Sequence, residues 1–417
     1  MLPLETLIQE WQDKLVAVQE STPRLAAFPD ANQLIKVAIG MRRAGKTFLL
    51  YQVMQHLLNQ GIPKEAILYI NFEDDRLLPM NQQGMAALLD SFYTLYPENH
   101  HRECYLFLDE LHNIEGWEQI VRRFFDSKKV QLYLTGSSAK LLSKEIATSL
   151  RGRSLAIEVW PYSFSEYLKA HHIQQPALSK SKAGLDHLNK NFLDFLNRGG
   201  FPGVQFLPAY AHREVLQQYL ELVILRDVIE RYGITNISLI KYFAITLLKN
   251  FSSLFSVTKF FNDVKSQGYQ LAKDTVFNYL NYLEDAYFIA TVPLYTESLR
   301  RASTAAKKIY AVDTGLIQAV TDNQTLNLGR LLENLVYLDL RRERRKIYYY
   351  VTKSGYEIDF VTEDLAGKKE LIQVTWDMAD ADTKAREERA LAEAMQELNL
   401  PGRIINRQNY LESITIN

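Results

Sequence analysis

Between residues 34 and 160, short apolar runs alternate with stretches whose apolar residues recur every three or four positions. The runs are LIKVAI at 34–39, AILYINF at 66–72, CYLFL at 104–108, VQLYLT at 130–135 and LAIEV at 155–159. Strands apolar along their whole length and separated by helical patterns predict a parallel sheet covered on both faces, an α/β domain. From 163 to 250 the pattern is helical, with its longest segment at 209–232. The turn GGFPG at 199–203 precedes that segment and supplies the backbone angles of a reversal. Two compact helices at 256–269 and 272–288, followed by the β-prone IATVPLY at 289–295, predict a winged helix. From 308 strands return at 309–312, 347–351, 356–361 and 370–376, with a helix at 329–343, and predict a separate small α/β domain.

Composition narrows the class. The 417 residues are 47% apolar and 23% charged, which excludes wholesale disorder and allows two or three cores. With 48 Lys+Arg against 49 Asp+Glu the net charge is −1, so the chain is not uniformly basic. Residues 171–310 nevertheless carry more positive than negative charge, and the winged-helix pattern falls there. The single cysteine, Cys104, permits no internal disulfide and suits a reducing cytoplasm. Glu5, Glu10 and Asp13 make the N-terminal stretch an amphipathic helix rather than a signal peptide. No apolar run approaches the roughly 18 residues of a membrane span, so a soluble, cytoplasmic protein without a membrane partner is expected. The pairs His100-His101 and His171-His172 lack zinc-site spacing.

The strongest chemical signal is GMRRAGKT at 40–47, a G-x-x-x-x-G-K-T between a strand and a helix. Gly40, Met41, Arg42, Arg43, Ala44 and Gly45 would curl so that successive N–H groups face phosphate oxygens at a helix N-terminus. Lys46 would reach the β- and γ-phosphates, and the Thr47 hydroxyl would coordinate Mg²⁺. ATP and Mg²⁺ are therefore the expected cofactors. Downstream, the apolar strand of YLFLDEL at 105–111 ends in Asp109, placed to hold Mg²⁺ from its outer shell, and Glu110, placed to polarise the attacking water. LYLTGSS at 132–138 offers Ser137 as a γ-phosphate sensor, with Thr135 and Ser138 as alternatives and a helix N-cap as the plain reading. LRGRS at 150–154 offers Arg151 and Arg153 either as fingers for a neighbouring subunit's nucleotide or as surface ion pairs.

The set GMRRAGKT, YLFLDEL, LYLTGSS, LRGRS, GGFPG and YEIDF resembles a bacterial and archaeal group of AAA-like P-loop ATPases. Their ATPase domain is joined to a C-terminal domain of unknown function with a restriction-endonuclease-like core. The resemblance implies an N-terminal helix (1–30), an AAA-like P-loop domain (31–162), a helical lid (163–235), a winged helix (236–307) and a nuclease-like domain (308–417). In the nuclease pattern, Asp359 matches the first acid and Glu333 the accessory acid. Gln373 and Thr375 stand where glutamate and lysine are needed for metal-dependent cleavage, so that site is expected to be degenerate. A solvent-facing alternation on an edge strand is the plain reading of Glu357 and Asp359.

DNA contact through the winged helix is expected at Lys273, Thr275, Asn278, Asn281, Arg300 and Arg301, with Lys307 and Lys308 following the wing. Winged helices also bind proteins, and two functions remain open at this point. One is an oligomeric ATP-driven motor or remodeller acting on DNA. The other is a nucleotide-dependent signalling or defence switch that gates a protein partner.

Overall fold

The structure, a computed structural model, describes residues 4–16, 21–77, 79–137, 150, 152–173, 182–321 and 327–414. Its contacts divide the chain into two units, Met1–Val159 and Trp160–Asn417.

In the first unit, helix α1 (Leu4–Val16) is followed by β1 (Ile35–Ile39), α2 (Lys46–Asn59), β2 (Ile67–Asn71), α3 (Gln82–Leu95), β3 (Cys104–Asp109), α4 (Trp117–Ser127), β4 (Val130–Gly136) and β5 (Ser154–Glu158). The strands form one parallel sheet in the order β2-β3-β4-β1-β5. Every residue of β1 and β4 is buried, as expected of strands covered on both faces. Register sets the functional end: Ile39 pairs with Gly136, and Leu108 with Leu134, so the C-terminal tips of β1, β3 and β4 converge. The strand between the phosphate-loop strand and the acid strand is β4, which follows both in sequence, while β2 lies at the sheet edge. Helix α1 buries Leu7, Ile8 and Trp11, and its Gln12 amide donates to the carbonyls of Lys64 (3.1 Å) and Ile67 (3.0 Å).

The second unit begins with helices Phe164–Ala170, Lys182–Arg198 and Ala209–Leu222, the last continuing as a π-helical segment over Val223–Glu230. GGFPG joins the second and third of these. Gly199 has φ +73°, and a Cβ there would stand 2.0 Å from Asp313 Oδ1. Asp313 caps helix Thr314–Val320, its buried carboxylate accepting N–H groups of Gly200 (2.6 Å) and Gly315 (2.8 Å). The GGFPG motif thus serves a close backbone approach.

Asp313→Ala would orphan both donors and is expected to cost about 2–3 kcal/mol of stability. Burial pushes the Asp313 carboxyl up to about 7. An acid raised in the folded state stabilises it fully below its unfolded pKa and loses that contribution as pH rises through about 7. The variant's melting temperature should therefore fall further below that of the parent at pH 5 than at pH 8.

Next come helix Ile237–Lys249, β6 (Ser253–Phe255), helices Val257–Ser266 and Lys273–Asp285, β7 (Ile289–Val292), a short helix Leu299–Thr304 and β8 (Lys307–Ala311). The three strands form an antiparallel sheet in the order β6-β8-β7. The break expected between residues 307 and 308 falls inside β8, whose pairing with both neighbours extends this small sheet to Ala311.

Helix Leu328–Arg342 then precedes β9 (Lys346–Val351), β10 (Glu357–Glu363), β11 (Lys369–Val374), helix Ala381–Leu398 and β12 (Gly402–Ile405). The sheet order is β12-β11-β10-β9, antiparallel except for the parallel pair β11–β12, which the long helix connects. β10 is an interior strand and Asp359 is 7% exposed, which corrects the edge-strand reading and the exposure expected of Asp359, while the Glu357 side chain is 38% exposed.

Candidate nucleotide-binding and catalytic site

The site is built where β1 ends. A Cβ on Gly40 would lie 2.2 Å from the Val159 carbonyl oxygen, so only glycine lets the loop pass the end of β5. Within the loop Met41 and Ala44 are buried, Arg43 is exposed, and Gly45 adopts the left-handed conformation at the start of α2. Lys46 is buried, and its ammonium donates to the carbonyls of Gly40 (3.0 Å) and Met41 (3.2 Å). Arg42 forms an ion pair with Glu73. Arg24, which sequence reasoning missed, donates to the Ala44 carbonyl at 2.9 Å and ties the preceding segment to the loop.

β3 delivers the acids. Asp109 is fully buried; its Oδ2 accepts the hydroxyls of Thr47 (2.8 Å) and Tyr69 (2.9 Å), and its Oδ1 accepts that of Thr135. Burial, and then the neighbouring charge of Glu110, push the Asp109 carboxyl up. Glu110 lies 3.6 Å from Lys46 and 3.3 Å from His112. Burial works against its ionisation, but Lys46, His112 and Arg42 outweigh it and hold the carboxyl below its ordinary range. Glu110 also takes a left-handed φ of 53°, unusual for a residue with a side chain and common at sites that aim one.

Of the three sensor candidates, Thr135 touches the acids: it bonds Asp109 and accepts the Glu110 N–H at 2.9 Å. Ser137 is fully buried just beyond the end of β4, and Ser138 lies outside the described residues. Tyr69 and Tyr51 were not legible as site residues. Their hydroxyls are 3.3 Å apart, and Tyr69 carries this pair onto Asp109. Burial, reinforced by the Asp109 charge, holds the Tyr69 phenol protonated.

A threonine hydroxyl beside a carboxylate is a hard-oxygen donor set of the kind Mg²⁺ accepts when it arrives with nucleotide phosphates. Thr47 would supply the direct ligand and Asp109 the outer shell.

Arg153 is half-exposed and paired with Asp126, and the residue after it, Ser154, pairs with Ile35 at the start of β1. It therefore sits at the opposite end of the sheet from its own phosphate loop. Arg151 lies outside the described residues.

In the second unit, Lys273, Asn278, Asn281, Arg300 and Arg301 are exposed and Thr275 is half-buried. Lys307 is half-buried on β8. Lys308 is not a surface residue: its side chain points into a cluster with Glu333, Glu357 and Asp359, because alternate residues of a strand face opposite sides. Gln373 is buried and bonds the Asp359 N–H (3.2 Å) and Glu387 (2.8 Å).

An AAA domain model matches residues 32–168, and two domains of unknown function, DUF8612 and DUF4143, match residues 189–327 and 328–415. The chain is 35% identical over 374 residues to the uncharacterized protein MJ1544 of Methanocaldococcus jannaschii, covering 88% of this chain and 80% of that one. It is 29% identical over 350 residues to an uncharacterized protein of Haemophilus influenzae, covering 83% and 84%. Among solved structures it is similar to the Walker-type ATPase PABY2304 of Pyrococcus abyssi, with a TM-score of 0.46 and 14% identity over 73% of this chain and 99% of that one.

Proposed function

The chain belongs to the family of the Methanocaldococcus jannaschii protein MJ1544, and we propose that it hydrolyses ATP as a homo-oligomeric AAA ATPase whose second unit engages DNA. The observation that carries the ATPase reading is the acid pair at the mouth of the phosphate loop. Asp109 is bonded to Thr47, and Glu110 is kept ionised beside Lys46. Mg²⁺ bound with ATP would supply charge neutralisation at the phosphates. Lys46 would exchange its loop carbonyls for phosphate oxygens, Asp109 would orient Thr47, and Glu110 would take a proton from the attacking water. Mg²⁺-dependent phosphate release by the purified protein tests this reading; a protein that binds ATP but never turns it over removes it.

Oligomeric action rests on Arg153. From the start of β1 to its end is roughly 13 Å at the usual strand rise, so this arginine is out of reach of its own nucleotide and available to a neighbour's. Neither Arg153→Ala nor Lys46→Ala alone should turn over ATP at the parental rate, and mixing the two should restore part of it, because mixed interfaces pair an intact loop with an intact arginine. Steady-state phosphate release in the mixture is the measurement, and its failure to recover would place Arg153 back among surface ion pairs.

Helices Ile237–Lys249, Val257–Ser266 and Lys273–Asp285 with the sheet β6-β8-β7 have the element order of a winged helix, and the exposed Lys273, Asn278 and Asn281 lie on its third helix. One observation favours the switch reading instead. The chain after β7 is tied to β9: Tyr295 N–H donates to the Tyr349 carbonyl at 2.7 Å, and Tyr349 N–H to that of Pro293 at 3.0 Å. A wing held in this way has less freedom to enter a groove. ATPase rate measured against single-stranded, duplex and branched DNA separates the two, since stimulation through phosphate contacts falls steeply with salt. The order helix, three antiparallel strands, helix and parallel strand in residues 328–405 supports the nuclease-like reading of the C-terminal part.

A further inference from the structure

Lys308 was expected among basic residues beyond a wing, yet its side chain is 1% exposed. Its ammonium lies 2.9 Å from Glu333 Oε1, 2.7 Å from Glu357 Oε1 and 2.8 Å from Asp359 Oδ1. An ammonium has three donors, and three carboxylates take them. Tyr310, two residues along β8, donates its hydroxyl to Glu333 Oε1 at 2.7 Å. The second oxygen of Asp359 accepts the Val374 N–H at 2.8 Å. β10 shifts register between Ile358 and Val361, a bulge of the kind that re-aims a side chain. Three carboxylates thus surround one buried amine at hydrogen-bonding distance.

We propose that the Lys308 ammonium occupies the divalent-cation position of the cluster Glu333, Glu357 and Asp359, closing a nuclease-like site with a cation from the protein itself. The proposal rests on the nuclease-like reading of residues 328–405 for the identity of the ion replaced; the contacts stand without it. Gln373 adds to the closure, because its amide is committed to Asp359 and Glu387 and brings no charge. Among the described residues no group of three or more His, Cys, Asp or Glu is arranged to hold a metal, and in this cluster the carboxylate oxygens stand 2.7, 2.8 and 2.9 Å from the Lys308 nitrogen, at hydrogen-bond rather than metal-ligand distance. A metal ion would bring both charge and coordinated water to be activated. The ammonium supplies the charge alone, so the carboxylates remain compensated while the hydrolytic chemistry is lost. It also ties β8 to β10 and to helix Leu328–Arg342, a structural return for keeping the acids.

Mn²⁺ titration of nucleotide-free protein, followed by electron paramagnetic resonance and by melting temperature, tests this in the parent, Lys308→Ala, Asp359→Asn and the double variant. Lys308→Ala should bind one Mn²⁺ more than the parent and melt higher with Mn²⁺, whereas the parent should not. Asp359→Asn added to Lys308→Ala should weaken that extra site roughly tenfold or more. A folded Lys308→Ala that gains no Mn²⁺ overturns the proposal and leaves the fold reading in place. Should Lys308→Ala not fold, the parent and Asp359→Asn decide. Equal Mn²⁺ binding supports the proposal. One Mn²⁺ fewer in Asp359→Asn, or Asp359-dependent DNA cleavage by the parent, means that Lys308 works beside a metal and overturns both the proposal and the degeneracy of the site.

Discussion

Glu110→Gln is expected to slow ATP hydrolysis roughly 10²–10⁴-fold, the usual worth of a general base, while ATP still binds. The two side chains have the same shape, so the left-handed backbone at 110 and the bond from its N–H to Thr135 are retained. What is lost is the charge. In the parent, Lys46, His112 and Arg42 keep this carboxylate ionised against the cost of burial; the amide can neither carry that charge nor accept a proton from water. The phosphate loop is untouched, so fluorescent-nucleotide titration should give a similar affinity. Single-turnover hydrolysis should show the whole loss. A variant that hydrolyses at the parental rate would take the role of base away from Glu110. Because its pKa is depressed, protonation of Glu110 should cost rate only below the ordinary carboxylate range near pH 4.3, and a decline above that range belongs to Asp109, whose carboxyl is pushed up.

The second large effect belongs to a residue without a side chain. Gly40→Ala would put a methyl group 2.2 Å from the Val159 carbonyl oxygen and 3.2 Å from its carbonyl carbon, at a φ of +149°. The obstacle is backbone and cannot rotate away, so the loop must lift from β5 or β5 must shift. Overpacking costs about 1–3 kcal/mol and a strained dihedral about as much again, so a loss of roughly 2–6 kcal/mol is expected, along with ATP affinity. Gly61→Ala provides the control. Gly61 has φ +85°, and a methyl group there would meet nothing within 4 Å, so it carries the dihedral cost alone. Denaturant midpoints and nucleotide titrations on both variants separate the clash from the strain; equal losses would show that the contact with Val159 is unimportant.

These effects differ in how far they could be foreseen. The phosphate loop and the acid pair are contiguous in the chain. Glycine spacing, a lysine and threonine opening a helix, and an apolar strand ending in two acids are local patterns, and each needs only its own backbone conformation to be recognised. The five strands of the first sheet were legible for the same reason, as uninterrupted apolar runs. Their order was not: β4 enters between β1 and β3 through pairing that no local pattern encodes.

The contacts that tune the site are long-range. Tyr69 and Thr135 reach Asp109 from neighbouring strands, and Arg24 reaches Ala44 from the stretch between α1 and β1. Lys308 shows the limit most plainly. In the sequence it is one of two adjacent lysines that follow Arg300 and Arg301, and its charge pointed to solvent and DNA. In the folded chain, the pleat of β8 turns it toward Glu333 of helix Leu328–Arg342 and Glu357 and Asp359 of β10, where it is a buried counter-ion. The sequence by itself determined the phosphate-loop and acid-pair patterns, because those patterns are written in consecutive residues. The tertiary structure alone decided which charges meet, because a strand's alternation says that a side chain faces one side or the other and only packing says what waits there.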